Sequence, residues 1–225
     1  MKIPFWKYYL SFLFEFHIES APSEINPHLY VSLRRGRYQL STANAVYSYA
    51  DLYTNFKQAF EAINLDQHRI EEVLVLGFGL GSIPYLLEKT FNKKYRYTAI
   101  EIDENVLYLA NKYALDEIQS PISLMPTDAA IFVSYCQEKF DLICMDVFLD
   151  DEVPTYLETE EYLHQLKRLL TPQGILLFNK LSLLEEDIAK CEAFLPVFQK
   201  VFPQATYLDV QGNWIFVNRA DLVVN

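Results

Sequence analysis

The apolar run Val73-Leu74-Val75-Leu76 ends directly on Gly77-Phe78-Gly79-Leu80-Gly81, and this junction constrains the fold more than any other stretch. Four continuous apolar residues closed by glycine read as a short strand buried on both faces. The glycines let the backbone turn tightly and let a ligand come close. A helix starting near Ser82 points free amides and the positive end of its dipole at the loop. A plain strand-to-helix turn fits the loop alone, so its meaning depends on the rest of the chain.

Beyond the loop, strand and helix patterns alternate repeatedly. Tyr95 to Ile102, Ile122 to Met125, Phe140 to Met145 and Gly174 to Asn179 read as strands. Ser82 to Lys89, Glu104 to Tyr113, Asp128 to Gln137, Thr159 to Leu170 and Leu184 to Val201 read as helices. Such a βα series predicts a Rossmann-like, doubly wound, mostly parallel α/β sheet. Ala205 to Val210 and Trp214 to Val217 are separated only by Gln211-Gly212-Asn213. That link is too short for a parallel crossover, so the sheet is expected to end in an antiparallel hairpin.

The chain before the junction has a different rhythm. Phe12, Phe14, Phe16 and Ile18 alternate, a strand period, before a break at Asn26-Pro27. Leu29, Val31 and Leu33 alternate again, and Arg35-Gly36-Arg37 reads as a turn into Tyr38 to Thr42. Residues 1–45 are therefore expected to form a small antiparallel β appendage, and residues 46–225 the Rossmann-like domain. Helical spacing of Leu52, Phe56, Ala59, Phe60 and Ile63 predicts a helix from Tyr49 to about Ile63.

Charge narrows the partners. A net charge of -11 argues against nucleic acid, which needs basic surface, and favours cationic small molecules. Phe5 to Ile18 is interrupted by Lys7, Glu15 and His17 and has no small-residue cleavage site, so it does not read as a signal peptide. No stretch has the length of a membrane span. Cys136, Cys144 and Cys191 are far apart and the four histidines are scattered, which predicts free thiols, no metal and a cytoplasmic location.

Acids recur at strand ends, where doubly wound sheets place ligands. Glu101 lies about twenty residues past the glycine loop, where a ribose is bound, although a helix-cap role is the plain alternative. Asp128 follows the third strand and serves equally as an adenine contact or a helix cap. Asp146 ends the fourth strand as a candidate base or cation anchor, with Asp150, Asp151 and Glu152 behind it.

Together these features resemble the class I S-adenosylmethionine-dependent transferase fold, and within it the spermidine synthase-like family. The likeness runs through Ser48-Tyr49-Ala50-Asp51, Glu101-Ile102-Asp103-Glu104, Thr127-Asp128-Ala129, and Phe140-Asp141-Leu142-Ile143 up to Asp146. It continues in Thr159-Glu160-Glu161-Tyr162 and Leu170-Thr171-Pro172-Gln173-Gly174.

The resemblance implies a donor, S-adenosylmethionine or its decarboxylated form, held by Gly77, Phe78, Gly79, Gly81, Glu101, Ile102, Thr127, Asp128 and Ala129. It implies Asp146 and Tyr49 as catalytic residues and Tyr47, Leu80 and Asp150 as acceptor contacts. It also implies a homodimer through the N-terminal sheet. Three positions depart from the family pattern. Leu80 stands where the family has an acid for the aminopropyl amine, Ala50 replaces a polar residue, and Asp150 lies one step late. Leu80 tilts the expectation toward methyl transfer to a small-molecule acceptor. Aminopropyl transfer to a polyamine and a non-catalytic nucleoside-binding relative are the alternatives, with a nicotinamide oxidoreductase behind them.

Overall fold

The computed structural model describes residues 3–26, 28–43, 45–210 and 212–223. Pro27 and Gln211, expected at a break and in a turn, lie outside the described residues.

The N-terminal part holds α1 (Phe5–Leu10) and a sheet of β1 (Phe16–Ser20), β2 (Tyr30–Arg34), β3 (Arg37–Ser41) and β4 (Val46–Ser48), all antiparallel neighbours. The strand expected from Phe12 begins only at Phe16. A helix and turns precede β1 because Ser11 anchors the chain to the β2–β3 turn. Its carbonyl accepts from the Arg35 amide at 2.7 Å, and its hydroxyl accepts from the Gly36 amide at 2.8 Å. Phe12 and Phe14 consequently stay exposed, and their alternation buries no face. The sheet also runs past residue 45, through β4.

The helix expected from Tyr49 begins later, as α2 (Thr54–Ala62) after a single 3-10 turn at Ala50–Leu52. Ala50 takes a left-handed φ of 47°, and Asp51 is drawn to Arg37 at 2.6 Å, so the backbone cannot yet continue as a helix.

The large sheet and its helices keep the expected order. They are β5 (Glu72–Leu76), α3 (Ser82–Tyr85, extended by a π turn over Leu86–Thr90), β6 (Arg96–Glu101), α4 (Glu104–Tyr113), β7 (Ile122–Pro126) and α5 (Ala129–Tyr135). Then come β8 (Phe140–Met145), α6 (Glu160–Leu169), β9 (Leu170–Leu181), α7 (Glu185–Val201), β10 (Thr206–Val210) and β11 (Asn213–Val217). Spatial order is β10-β11-β9-β8-β5-β6-β7. Five strands are parallel, and β10 and β11 form the antiparallel hairpin.

Strand residues feed two cores, one on each face. Val73 and Val75 pack with Phe56, Phe60 and Leu86; Leu74 and Leu76 pack with Phe140, Leu163 and Phe178. This is the two-residue period of a strand buried on both faces. The strand order reverses between β5 and β8, the point where such sheets open a crevice beyond their carboxyl ends. Among the described residues, no helix is long and apolar enough to cross a membrane.

Candidate active site

The crevice is a cleft of about 700 Å³ over the ends of β5, β6 and β8, closed on its outer side by β4 and the segment from Val147 to Pro154. Its floor depends on a close backbone approach. Gly77, at φ 84°, follows β5, and a Cβ there would lie 2.2 Å from the Asp146 carbonyl oxygen. Only glycine lets the two strand ends meet this closely.

Glu101 is buried at the end of β6. Its two oxygens accept from the Gly79 and Asp103 amides, each at 3.1 Å. Burial pushes its carboxyl up, and those amides oppose the rise. The glycine loop and the acid therefore hold each other. Each carboxylate oxygen keeps an acceptor direction for a further donor. The helix-cap role is filled instead by Asp103, whose Oδ1 accepts from the Asn105 amide at 2.9 Å.

Asp146 sits in the floor of the cleft. The Tyr53 hydroxyl donates to it, and Asn179 Nδ2 donates to its Oδ1 at 2.8 Å. Asn179 is placed by register: Met145 pairs with Phe178, so the next residues of β8 and β9 lie side by side. Burial pushes the Asp146 carboxyl up to about 7, aided by the nearby Glu101 and opposed by the Asn179 and Tyr53 hydrogen bonds. An acid poised there can take or release a proton at neutral pH.

Asp128 caps α5, its Oδ1 accepting from the Ala130 and Ile131 amides at 2.7 and 3.0 Å. Its Oδ2 faces the cleft and accepts from the Tyr156 hydroxyl at 2.9 Å. Ile102, more than a third exposed, and Ala129 line the same end. Tyr47 donates to Asn26 Oδ1 at 2.8 Å and accepts from the Asp150 amide at 2.6 Å. Asp150, at a left-handed φ of 57°, also accepts from Thr42 at 2.7 Å. The N-terminal sheet thus clasps the acidic loop.

Several expected positions fall elsewhere. Leu80 is buried in the core with Phe78, and Leu80 and Gly81 face a small recess near Tyr85 and Tyr113. Neither Leu80 nor Phe78 reaches the cleft, because the loop turns their side chains inward, and Thr127 does not line it. Tyr49 lines the cleft, but its hydroxyl donates to the Arg34 carbonyl at 3.1 Å. The tyrosine on Asp146 is Tyr53, four residues on. Neither Asn179 nor Tyr53 is among the residues expected from sequence; the spacing of Tyr49 and Tyr53 was the one available signal. No group of three or more His, Cys, Asp or Glu among the described residues could hold a metal ion.

The chain is similar to known proteins in sequence and in fold. A family model for the spermine/spermidine synthase domain matches residues 59–211. The chain belongs to that family. A polyamine aminopropyltransferase of Vibrio vulnificus (strain CMCP6) is 29% identical over 115 residues, covering 50% of this chain and 38% of that protein. The eEF1A lysine and N-terminal methyltransferase of Bos taurus is 25% identical over 151 residues, covering 62% of this chain and 21% of that protein. The chain therefore spans well under half the length of these relatives. In fold, it is similar to a probable spermidine synthase from Corynebacterium glutamicum ATCC 13032, with a TM-score of 0.72 at 18% identity over 89% of this chain and 78% of that one.

Proposed function

We propose that this family member is a transferase that moves an aminopropyl group from decarboxylated S-adenosylmethionine to a cationic amine. The observation that carries the reading is Asp146, a carboxyl held near pH 7 in the floor of an acidic cleft. An ammonium acceptor must lose its proton before its nitrogen can attack, and Asp146 is the group to take it.

The residues fit such a donor. The Glu101 oxygens have acceptor directions left for ribose hydroxyls. Ile102 and Ala129 offer an apolar bed for a base, and Asp128 Oδ2 can take an exocyclic amine in place of Tyr156. The donor supplies a carbon made electrophilic by its neighbouring sulfonium. The protein's own work is then orientation and proton removal.

Family membership and the Vibrio relative support aminopropyl over methyl transfer. Leu80, the residue that favoured methyl transfer, packs its side chain in the core and does not line the cleft. Asp150, Asp151, Glu186 and Asp187 give the cleft wall the charge a polycation requires. Methyl transfer to an amine is the second reading, supported by the Bos taurus relative. We extend the proposal to a homodimer through the N-terminal part, where Phe5, Trp6, Leu13 and Phe14 are exposed.

The test is product analysis. With decarboxylated S-adenosylmethionine and a diamine, methylthioadenosine should accumulate, and Asp146→Asn should stop it. Accumulation of S-adenosylhomocysteine from S-adenosylmethionine instead would establish methyl transfer. Nucleoside binding with no product from either donor would leave a non-catalytic relative.

A further inference from the structure

The carboxylate of Asp146 is held by a chain of carboxamides that ends on the terminal hairpin. Asn213 Nδ2 donates to Asn179 Oδ1 at 3.0 Å, and Asn179 Nδ2 donates to Asp146 Oδ1 at 2.8 Å. A carboxamide has one accepting end and one donating end. With its oxygen engaged by Asn213, Asn179 turns its amino group to the acid. The pairing of β11 with β9, Asn213 against Leu181, sets this spacing. All three side chains line the cleft, so neither asparagine is simply core filling.

We propose that Asn213 is a positioning residue that fixes the orientation of the Asn179 carboxamide and thereby sets the proton affinity of Asp146. Its relevance to turnover rests on Asp146 being the base. Without the Asn213 donor, the Asn179 carboxamide is free to turn over. Its oxygen would then face a carboxylate oxygen, which disfavours the ionised acid. The other groups facing Asp146 are Tyr53 ahead of α2, Glu101 at the end of β6 and Cys144 on β8. A substitution at 213 alters none of them.

The test uses the full chain with aspartate carboxyls labelled with carbon-13, the Asp146 signal being assigned by its loss in Asp146→Asn. Asn213→Leu is close in shape and has no donor; Asn213→Gln keeps one. The Asp146 titration should move up by about one pH unit in Asn213→Leu and stay near wild type in Asn213→Gln. The acidic limb of kcat should move with it, an approximately tenfold loss at pH values below the limb. Asn213→Ala gives the same readout if the leucine disturbs the hairpin. An unmoved titration in the variants without the donor, or an equal shift in Asn213→Gln, overturns the proposal. A moved titration with an unmoved kcat limb supports the carboxamide relay and overturns Asp146 as the base.

Discussion

The Tyr53 hydroxyl reaches both oxygens of the Asp146 carboxylate, 2.9 Å from Oδ2 and 3.1 Å from Oδ1. A single proton shared this way favours the ionised acid. It also ties the start of α2 to the end of β8. Removing it in Tyr53→Phe should raise the Asp146 pKa from about 7 and move the acidic limb of the pH–rate profile up by about one unit. Tyr49→Phe should leave that limb in place, since the Tyr49 hydroxyl is bonded to Arg34. Steady-state rates between pH 5 and 9 separate the two.

Asp146→Asn should trade activity for stability. The folded carboxyl titrates near 7 against an ordinary value of 3.8, so the fold binds its proton more tightly than the unfolded chain. The Asp146 contribution to stability therefore falls as pH rises from about 4 to 7 and is level above that. Asparagine removes this dependence. The variant should melt several degrees above wild type at pH 8, and the gap should close by pH 4. Thermal melts across that range would reject the assignment if the gap were constant.

Glu88 has the opposite sign. Burial by itself would raise its carboxyl. Lys89, the Ser120 hydroxyl and amide, and the Gln119 amide outweigh that and hold it at about 2. Its contribution is complete above pH 4.5 and is lost as pH falls from there toward 2. Glu88→Gln should lower stability at neutral pH by about 2 kcal/mol and flatten the acid unfolding curve in that window.

Glu101→Gln should weaken methylthioadenosine binding by roughly 10- to 100-fold, the usual cost of losing charge-assisted hydrogen bonds. It also sets an amide donor against the Gly79 or Asp103 amide, loosening the glycine loop. Calorimetry on a variant with an unchanged melting temperature isolates the binding effect. Unchanged affinity would remove Glu101 from the ribose site.

Gly77→Ala should be among the most damaging single changes. It demands a positive φ from alanine and drives a methyl group into the Asp146 carbonyl. A loss of about 3 kcal/mol or more in denaturant unfolding is expected.

The sheet was legible because its strands obey simple periods. Glu104–Tyr113 and Phe140–Met145 have the bounds read from sequence, Glu101 ends β6, and Asp146 directly follows β8. The failures have local causes. Between Tyr49 and Thr54 the backbone turns at Ala50 with a left-handed φ, held by the Arg37–Asp51 pair, and that turn decides which tyrosine meets Asp146. A pair so far apart in sequence is invisible to periodicity. The aromatic alternation near Phe14 misled because a strand signal needs a face to bury, and Ser11 commits the chain elsewhere. Leu80 looked like a substrate contact by position, yet side-chain direction in a glycine loop depends on each φ along it. Asn179 and Asn213 become partners only through the register of the final hairpin.

The partners of Asp146 also divide unevenly along the chain. The glycine loop, Glu101, Asp146 and Asn179 fall inside the family-matched stretch, residues 59–211, whereas Tyr53 lies before it and Asn213 after it. Of the side chains that act on the Asp146 carboxyl, Glu101 and Asn179 thus lie within the matched stretch, and Tyr53 and the partner of Asn179, Asn213, lie in the flanks. A substitution at Tyr53 or Asn213 therefore changes the surroundings of Asp146 while leaving every residue of the matched stretch as it is.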